Sequence, residues 1–178
     1  VVADGGKLVG QGSLNGALTN DGLVELSSGN FDISGAVTNN GYFRVKSPAT
    51  FTATGGFTNN GTLNLIGSTQ PIPPGIVNNG LILTDRAPAT ITWTGSAGAA
   101  WDVQTSVNWT NSSSQPDVFF PGDTVLFNDT ASTSAIELAG TLTPASVSVD
   151  TSQTFSLNGG ALGGAGGLAS SIFAGRVM

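Results

Sequence analysis

The chain has 178 residues, 26 of them Gly, with no His, no Cys and only 9% charged side chains, against roughly a quarter in an ordinary soluble domain. Without His or Cys there is no Ser-His-Asp or Cys-His nucleophile system and no imidazole or thiolate metal site. A net charge of −6, with only Arg44 and Lys46 of the five basic residues close in sequence, argues against nucleic acid, because phosphate binding needs clustered cations.

From the start of the chain to residue 84, a turn tripeptide recurs: Asn20-Asp21-Gly22, Asn39-Asn40-Gly41, Asn59-Asn60-Gly61 and Asn78-Asn79-Gly80, at spacings of 19, 20 and 19. After each Gly come Val24 and Leu26, Phe43 and Val45, Leu63 and Leu65, then Ile82 and Thr84. The residues between them are Glu25, Arg44, Asn64 and Leu83. This is period-two alternation with an inner and an outer face. A second apolar column precedes each turn (Leu18, Val37, Phe57, Ile76), and a third follows about ten residues later (Phe31 with Ile33, Phe51 with Ala53, and Ile72). Each repeat therefore holds three short strands, with Gly and Asn at the corners supplying positive φ. One such unit cannot bury its inner face alone, whereas stacked copies bury it continuously. The expected fold is all-β: a parallel β-helix, or β-solenoid, with coils of about 19–22 residues. Asn39, Asn59 and Asn78 are expected to form an amide ladder along one corner, and Glu25 to pair with Arg44 on the outer face.

Residues 85–122 differ. They hold all three Trp, in Thr92-Trp93-Thr94, Ala100-Trp101-Asp102 and Asn108-Trp109-Thr110, followed by the loop Asn111–Pro116. This stretch is expected to be a Trp-rich excursion from the coil. Across 123–158 the alternation returns: Val125 and Phe127, Ile136 and Leu138, Val147 and Val149, Phe155 and Leu157. Val147 follows Val125 by 22 residues and Leu157 follows Ile136 by 21, so these coils are expected to stack with nearly the period of the first ones, continuing a single rod. Residues 159–178 form a Gly/Ala-rich tail, a linker or a thin further coil, with Ser170–Phe173 as one more short strand. Neither end carries the polar cap a solenoid needs, which suggests a piece of a longer chain or ends that pair with other copies. No apolar run approaches the ~18 residues of a spanning helix.

The pattern Gly-x-Leu-x-Gly-x-Gly-x-Leu-x-Gly from Gly6 to Gly16, followed by the repeated Thr-Asn-Asn-Gly corner, resembles bacterial autotransporter passenger and haemagglutinin-like β-helices. Trp101-Asp102 through Asn108-Trp109, Pro121–Asp129 and Leu142–Val149 resemble the autotransporter-associated β-strand repeat proteins. The resemblance covers nearly the whole chain. It implies an extracellular or bacterial cell-surface location and a scaffold or adhesive role, and it carries over no catalytic residue.

Three sites merit a test. Trp93, Trp101 and Trp109, if exposed, offer faces for stacking on sugar rings; the alternative is that they pack together and close the excursion. Asp123, Asn128 and Asp129, with Asp117 near, bring together oxygen ligands for calcium, but without EF-hand spacing; Gly-Asp before a strand is ordinary turn chemistry. Arg44 and Lys46, with Glu25 and Asn64 beside Arg44, are a possible base and its neighbours for polysaccharide cleavage, though the acids are scattered where paired carboxylates need ~5–9.5 Å separations. Asn108, Asn111 and Asn128 head Asn-x-Ser/Thr triplets. The expectation is a non-enzymatic structural solenoid without cofactor or metal, part of a surface adhesin or an extracellular fibre built by head-to-tail stacking. Its partners would be copies of itself, adjoining repeats, or surface polysaccharide. The alternative is a glycan-binding module using Trp, with a polysaccharide lyase or hydrolase behind it.

Overall fold

The computed structural model describes residues 1–164, and within them every regular element is a β-strand. The chain divides into two compact units between Arg86 and Ala87. Ser170–Phe173 and Arg176 lie outside the described residues.

The first unit is a parallel β-solenoid with three faces. Its strands are β1 (Lys7–Val9), β2 (Gly12–Leu14), β3 (Leu18–Asn20), β4 (Leu23–Leu26), β5 (Asn30–Ile33), β6 (Val37–Asn39), β7 (Tyr42–Val45), β8 (Thr50–Ala53), β9 (Phe57–Asn59), β10 (Thr62–Asn64), β11 (Val77–Asn78) and β12 (Leu81–Leu83). One face is the five-stranded sheet β1-β4-β7-β10-β12, the second is β2-β5-β8, and the third is β3-β6-β9-β11. Every pairing is parallel and in register, so each position meets its counterpart one coil away: Val24 with Phe43, Phe43 with Leu63, Leu63 with Ile82. The inward residues form one core, in which Val24, Phe43, Val45 and Leu63 are wholly buried. Phe43, Phe51 and Phe57 meet at centroid distances of 5.0, 5.5 and 5.6 Å. Each such side chain stabilises the coil by roughly 1.5–3 kcal/mol relative to exposure.

Two expectations about this unit are corrected. The corner glycines are not there for positive φ: Gly22, Gly41, Gly61 and Gly80 are absent from the left-handed region. They are there because coils touch. A Cβ on Gly61 would stand 2.1 Å from the Gly41 carbonyl oxygen, and one on Gly80 2.1 Å from that of Gly61. Ile72 does not continue the third column either. It lies outside any strand and is 47% exposed, flanked by Pro71, Pro73 and Pro74, which cannot donate to a ladder. In place of the missing strand, the Gln70 side chain reaches β8 and accepts the Phe51 N–H at 2.8 Å.

The second unit holds β13 (Thr90–Trp93), β14 (Ala100–Trp101), β15 (Trp109–Asn111), β16 (Pro116–Asp117), β17 (Thr124–Asn128), β18 (Ala135–Leu142), β19 (Ser146–Asp150) and β20 (Ser156–Leu162). Strands β13, β17 and β19 stack in parallel, as do β14, β18 and β20. Val125 pairs with Val147 and Ile136 with Leu157, so the 22- and 21-residue spacings are coil lengths. The excursion is narrower than the Trp distribution suggests: Trp93 and Trp101 sit on coil strands. The departure is the antiparallel ribbon of β15 and β16, which lies on β13. Strand β20 runs into the Gly-rich stretch through Gly159, Gly160 and Leu162. There Gly160 lies against Gly140, with 2.0 Å between a would-be Cβ and its carbonyl oxygen.

Candidate functional site

Three of the four buried polar residues of the first unit, Asn20, Asn39 and Asn59, stand at one corner, where β3, β6 and β9 end, and β11 ends there too. Each of these strands finishes on an Asn whose side chain turns inward, because alternation places it on the face of the apolar residue two before it. Asn20, Asn39 and Asn59 are wholly buried, and Asn78 at the end of the row is exposed. Asn20 Nδ2 donates to Asn39 Oδ1, Asn39 to Asn59 and Asn59 to Asn78, each at 2.7 Å. The second proton of each amide goes to a backbone carbonyl of the next coil, at Tyr42, Thr62 and Leu81. The buried nitrogens are therefore saturated, as a buried polar group requires. Asn20 is a member that the fit to Asn-Asn-Gly passed over, although its own tripeptide signalled it.

A second row lies outside the first. Asn79 donates to Asn60 at 3.0 Å, Asn60 to Asn40 at 2.8 Å, and Asn40 to the Asp21 carboxylate at 2.8 Å. A carboxylate only accepts, so Asp21 fixes the sense of this row, which runs opposite to the buried one. Both rows bond coil to coil; neither gathers groups around a substrate.

Four charged residues of the first unit, Lys7, Glu25, Arg44 and Lys46, lie on the outer face of the five-stranded sheet or directly after its strand β7. Glu25 pairs in register with Arg44, but its ion pairs go elsewhere: to Lys46 Nζ at 3.3 Å and Lys7 Nζ at 3.9 Å. The expected Glu25–Arg44 ion pair is thus corrected, since register sets the backbones opposite but does not fix where the flexible side chains carry their charges. Arg44 Nε is buried without a hydrogen-bond partner. Tyr42 shares the Arg44 face two residues earlier, and its hydroxyl accepts Asn64 Nδ2 at 2.6 Å. Asn64, expected outside, is buried and caps the end of β10 by accepting the Ile66 N–H. No second carboxylate stands beside Glu25 in these ion pairs, so the set lacks the acid pair that glycoside hydrolysis uses.

In the second unit the condition for sugar stacking, exposed indoles, is not met, and the alternative of mutual packing is what is found. Trp93 and Trp101 have no exposed surface and Trp109 has 1%. Trp109 stands edge-on to both Trp93, at 4.9 Å and 75°, and Trp101, at 5.2 Å and 69°. Phe119 and Phe127 close the cluster. The physical reason is area: the three indoles are the largest apolar side chains of the second unit, and they pack into the same core as the coil residues Val125, Phe127, Ile136 and Val147. Trp93 Nε1 donates to the Thr133 carbonyl at 2.7 Å, whereas Trp101 and Trp109 have buried Nε1 atoms without a partner. No face of these rings is available to a sugar.

The oxygen groups considered for calcium serve turns instead. Asp123 is buried and accepts the Ala89 and Phe120 N–H groups at 2.8 and 2.7 Å. Asn128 accepts the Thr130 N–H and hydroxyl. Asp129 joins two coils: it accepts the Thr151 hydroxyl, then the Ser152 N–H at 2.7 Å and its hydroxyl at 3.0 Å. Those bonds, the Thr151 hydroxyl foremost, hold its pKa below the ordinary carboxylate value. Among the described residues no three His, Cys, Asp or Glu side chains gather where a metal would sit. Asn108 is buried and bonded to Ala97 and Ala100, so it presents no surface for glycosylation, and Asn111 caps its own loop at Ser113 and Gln115. One open depression is lined by hydroxyls and amides, at Thr92, Thr110, Asn111 and Asn128, and another by Phe51, Phe57, Pro73 and Pro74. No helix among the described residues is long and apolar enough to cross a membrane. No family model, curated protein or solved structure matches the chain.

Proposed function

We propose that this chain is a secreted structural β-solenoid, a length of bacterial surface adhesin or a subunit that builds an extracellular fibre by stacking head to tail on its own copies. The observation that carries this reading is the Asn20–Asn39–Asn59–Asn78 row. The buried polar groups of the first unit are committed to joining one coil to the next. The row ends on exposed Asn78 in β11, both of whose residues are exposed. A further rung in the same register would meet a strand edge and an amide already in place. Such a contact is heterologous and does not close, so it generates filaments. The likeness of the sequence to autotransporter-type β-helices supports the extracellular setting.

The test is electron microscopy and sedimentation of the full chain over rising concentration. Stacking predicts rods that lengthen with concentration and shorten when Asn78 is changed to Lys, which puts a charge where the next amide would bond. A monomer of constant size at every concentration overturns the fibre subunit.

A further inference from the structure

The geometry points to the outer face of the five-stranded sheet, around Glu25, as a docking site for an acidic polysaccharide, a polymer whose sugar rings carry carboxylates. Three of the chain's five basic residues, Lys7, Arg44 and Lys46, lie on β1, β7 and the residue after β7. The strand between them carries one carboxylate, Glu25. In a chain of net charge −6, this is a local reversal of sign: three cations around one anion leave two positive charges uncompensated. The cations are held together as well as near in sequence. Both ammonium groups approach the same Glu25 oxygen, at 3.3 and 3.9 Å, while their side chains remain 39% and 50% exposed. Two half-exposed ammoniums, each with three donors in all, share one acceptor and so have donors to spare, which an incoming carboxylate can take as Glu25 does.

Arg44 completes the set. Among the described residues it makes no ion pair, and its inner nitrogen is buried without an acceptor, so what it has to offer lies in the outer fork that matches a carboxylate. Tyr42, on the same face and two residues away, supplies a partly exposed ring whose hydroxyl is anchored by Asn64, the kind of amphipathic surface on which a sugar ring rests. The patch is too small to track a duplex, which needs many phosphate contacts for useful affinity. Its flat sheet with an aromatic ring suits a saccharide strand. The site does not depend on stacking and belongs equally to a monomer.

Calorimetric titration of the full chain with polygalacturonate tests it, with uncharged dextran, duplex DNA and phosphatidylserine vesicles in parallel. The expected result is binding to polygalacturonate alone, weakened about tenfold or more as salt rises from roughly 0.05 to 0.2 M. The Lys7→Gln/Lys46→Gln pair is expected to lose binding by about tenfold or more, and Arg44→Lys to lose several-fold by removing the fork while keeping the charge. Glu25→Gln is expected to gain several-fold, because it raises the patch from two positive charges to three. That gain separates a binding patch from a structural ion pair, whose removal would only loosen the fold; circular dichroism melts confirm that each variant is folded. Failure of polygalacturonate to bind overturns the proposal, as does binding indifferent to the lysines or not strengthened by Glu25→Gln. Equal affinity for DNA or vesicles overturns the assignment to a sugar acid.

Discussion

The two units are built on the same parallel stacking but hold their coils together by different means. The first places amides inside: identical Asn side chains recur in one column, each satisfied by its copies and by backbone carbonyls. The second has Trp and Phe packed edge to face, with Trp109 contributed by an antiparallel ribbon that extends the sheet beside β13. The difference teaches what repetition permits. An amide row works only where coil length is constant enough to return the same residue to the same corner, as the spacings of 19 and 20 do. In the second unit β13 and β17 are in register across 34 residues while β17 and β19 are in register across 22. Aromatic packing tolerates that irregularity because it is far less directional than a ladder of hydrogen bonds.

The largest effect should come from the aromatic interior. Trp109→Ala removes the indole that touches both other Trp, and calorimetry should show a loss of about 3–5 kcal/mol. The amide row should respond nearly as strongly to a much smaller deletion. Asn39→Ala strips a partner from Asn20 Nδ2, Asn59 Oδ1 and the Thr62 carbonyl, and denaturant unfolding should report roughly 2–4 kcal/mol lost through buried groups left unpaired. A loss below about 1 kcal/mol would mean that water satisfies the corner.

A finer contrast lies within the Trp cluster. Trp93→Phe leaves the Thr133 carbonyl without its donor, while Trp109→Phe removes a buried N–H that has no acceptor. Trp93→Phe should therefore be the more damaging by about 1 kcal/mol or more; equal melting temperatures would show that only volume matters. The smallest effect is on pH. Asp129 has its folded pKa depressed by the Thr151 and Ser152 bonds, so its contribution is present above the unfolded value near 3.9 and fades as pH falls through the lower folded value. Acidification should release the Asn128–Ala131 corner from Thr151–Gln153, read as faster amide exchange at Ser152, and Asp129→Asn should abolish that pH dependence.

Much of the fold was legible in the sequence because register copies residue type from coil to coil. Four Asn at constant spacing identify a corner, and apolar pairs at the second and fourth positions after each Gly identify an inner face. What was not legible are properties of side chains in three dimensions. A Gly required for close approach of two backbones looks, in sequence, like a Gly required for positive φ; only the 2.1 Å clearance at Gly61 and Gly80 separates them. Three Trp eight residues apart look alike whether exposed or buried, and the ribbon that carries Trp109 pairs antiparallel, outside the repeat. Ile72 satisfied the period, but Pro71, Pro73 and Pro74 override it. The choice of Lys7 and Lys46 over Arg44 by Glu25 depends on side-chain direction, which register does not set.

The central claim is that the first unit is held by its amide row and the second by its aromatic cluster. Hydrogen exchange followed by mass spectrometry on Asn39→Ala and Trp109→Ala, beside the parent chain, tests it most directly. Asn39→Ala should accelerate exchange in β3, β6, β7, β9 and β10 and leave β13–β20 at parent rates, while Trp109→Ala should do the reverse. Acceleration of both units by either change would contradict the claim.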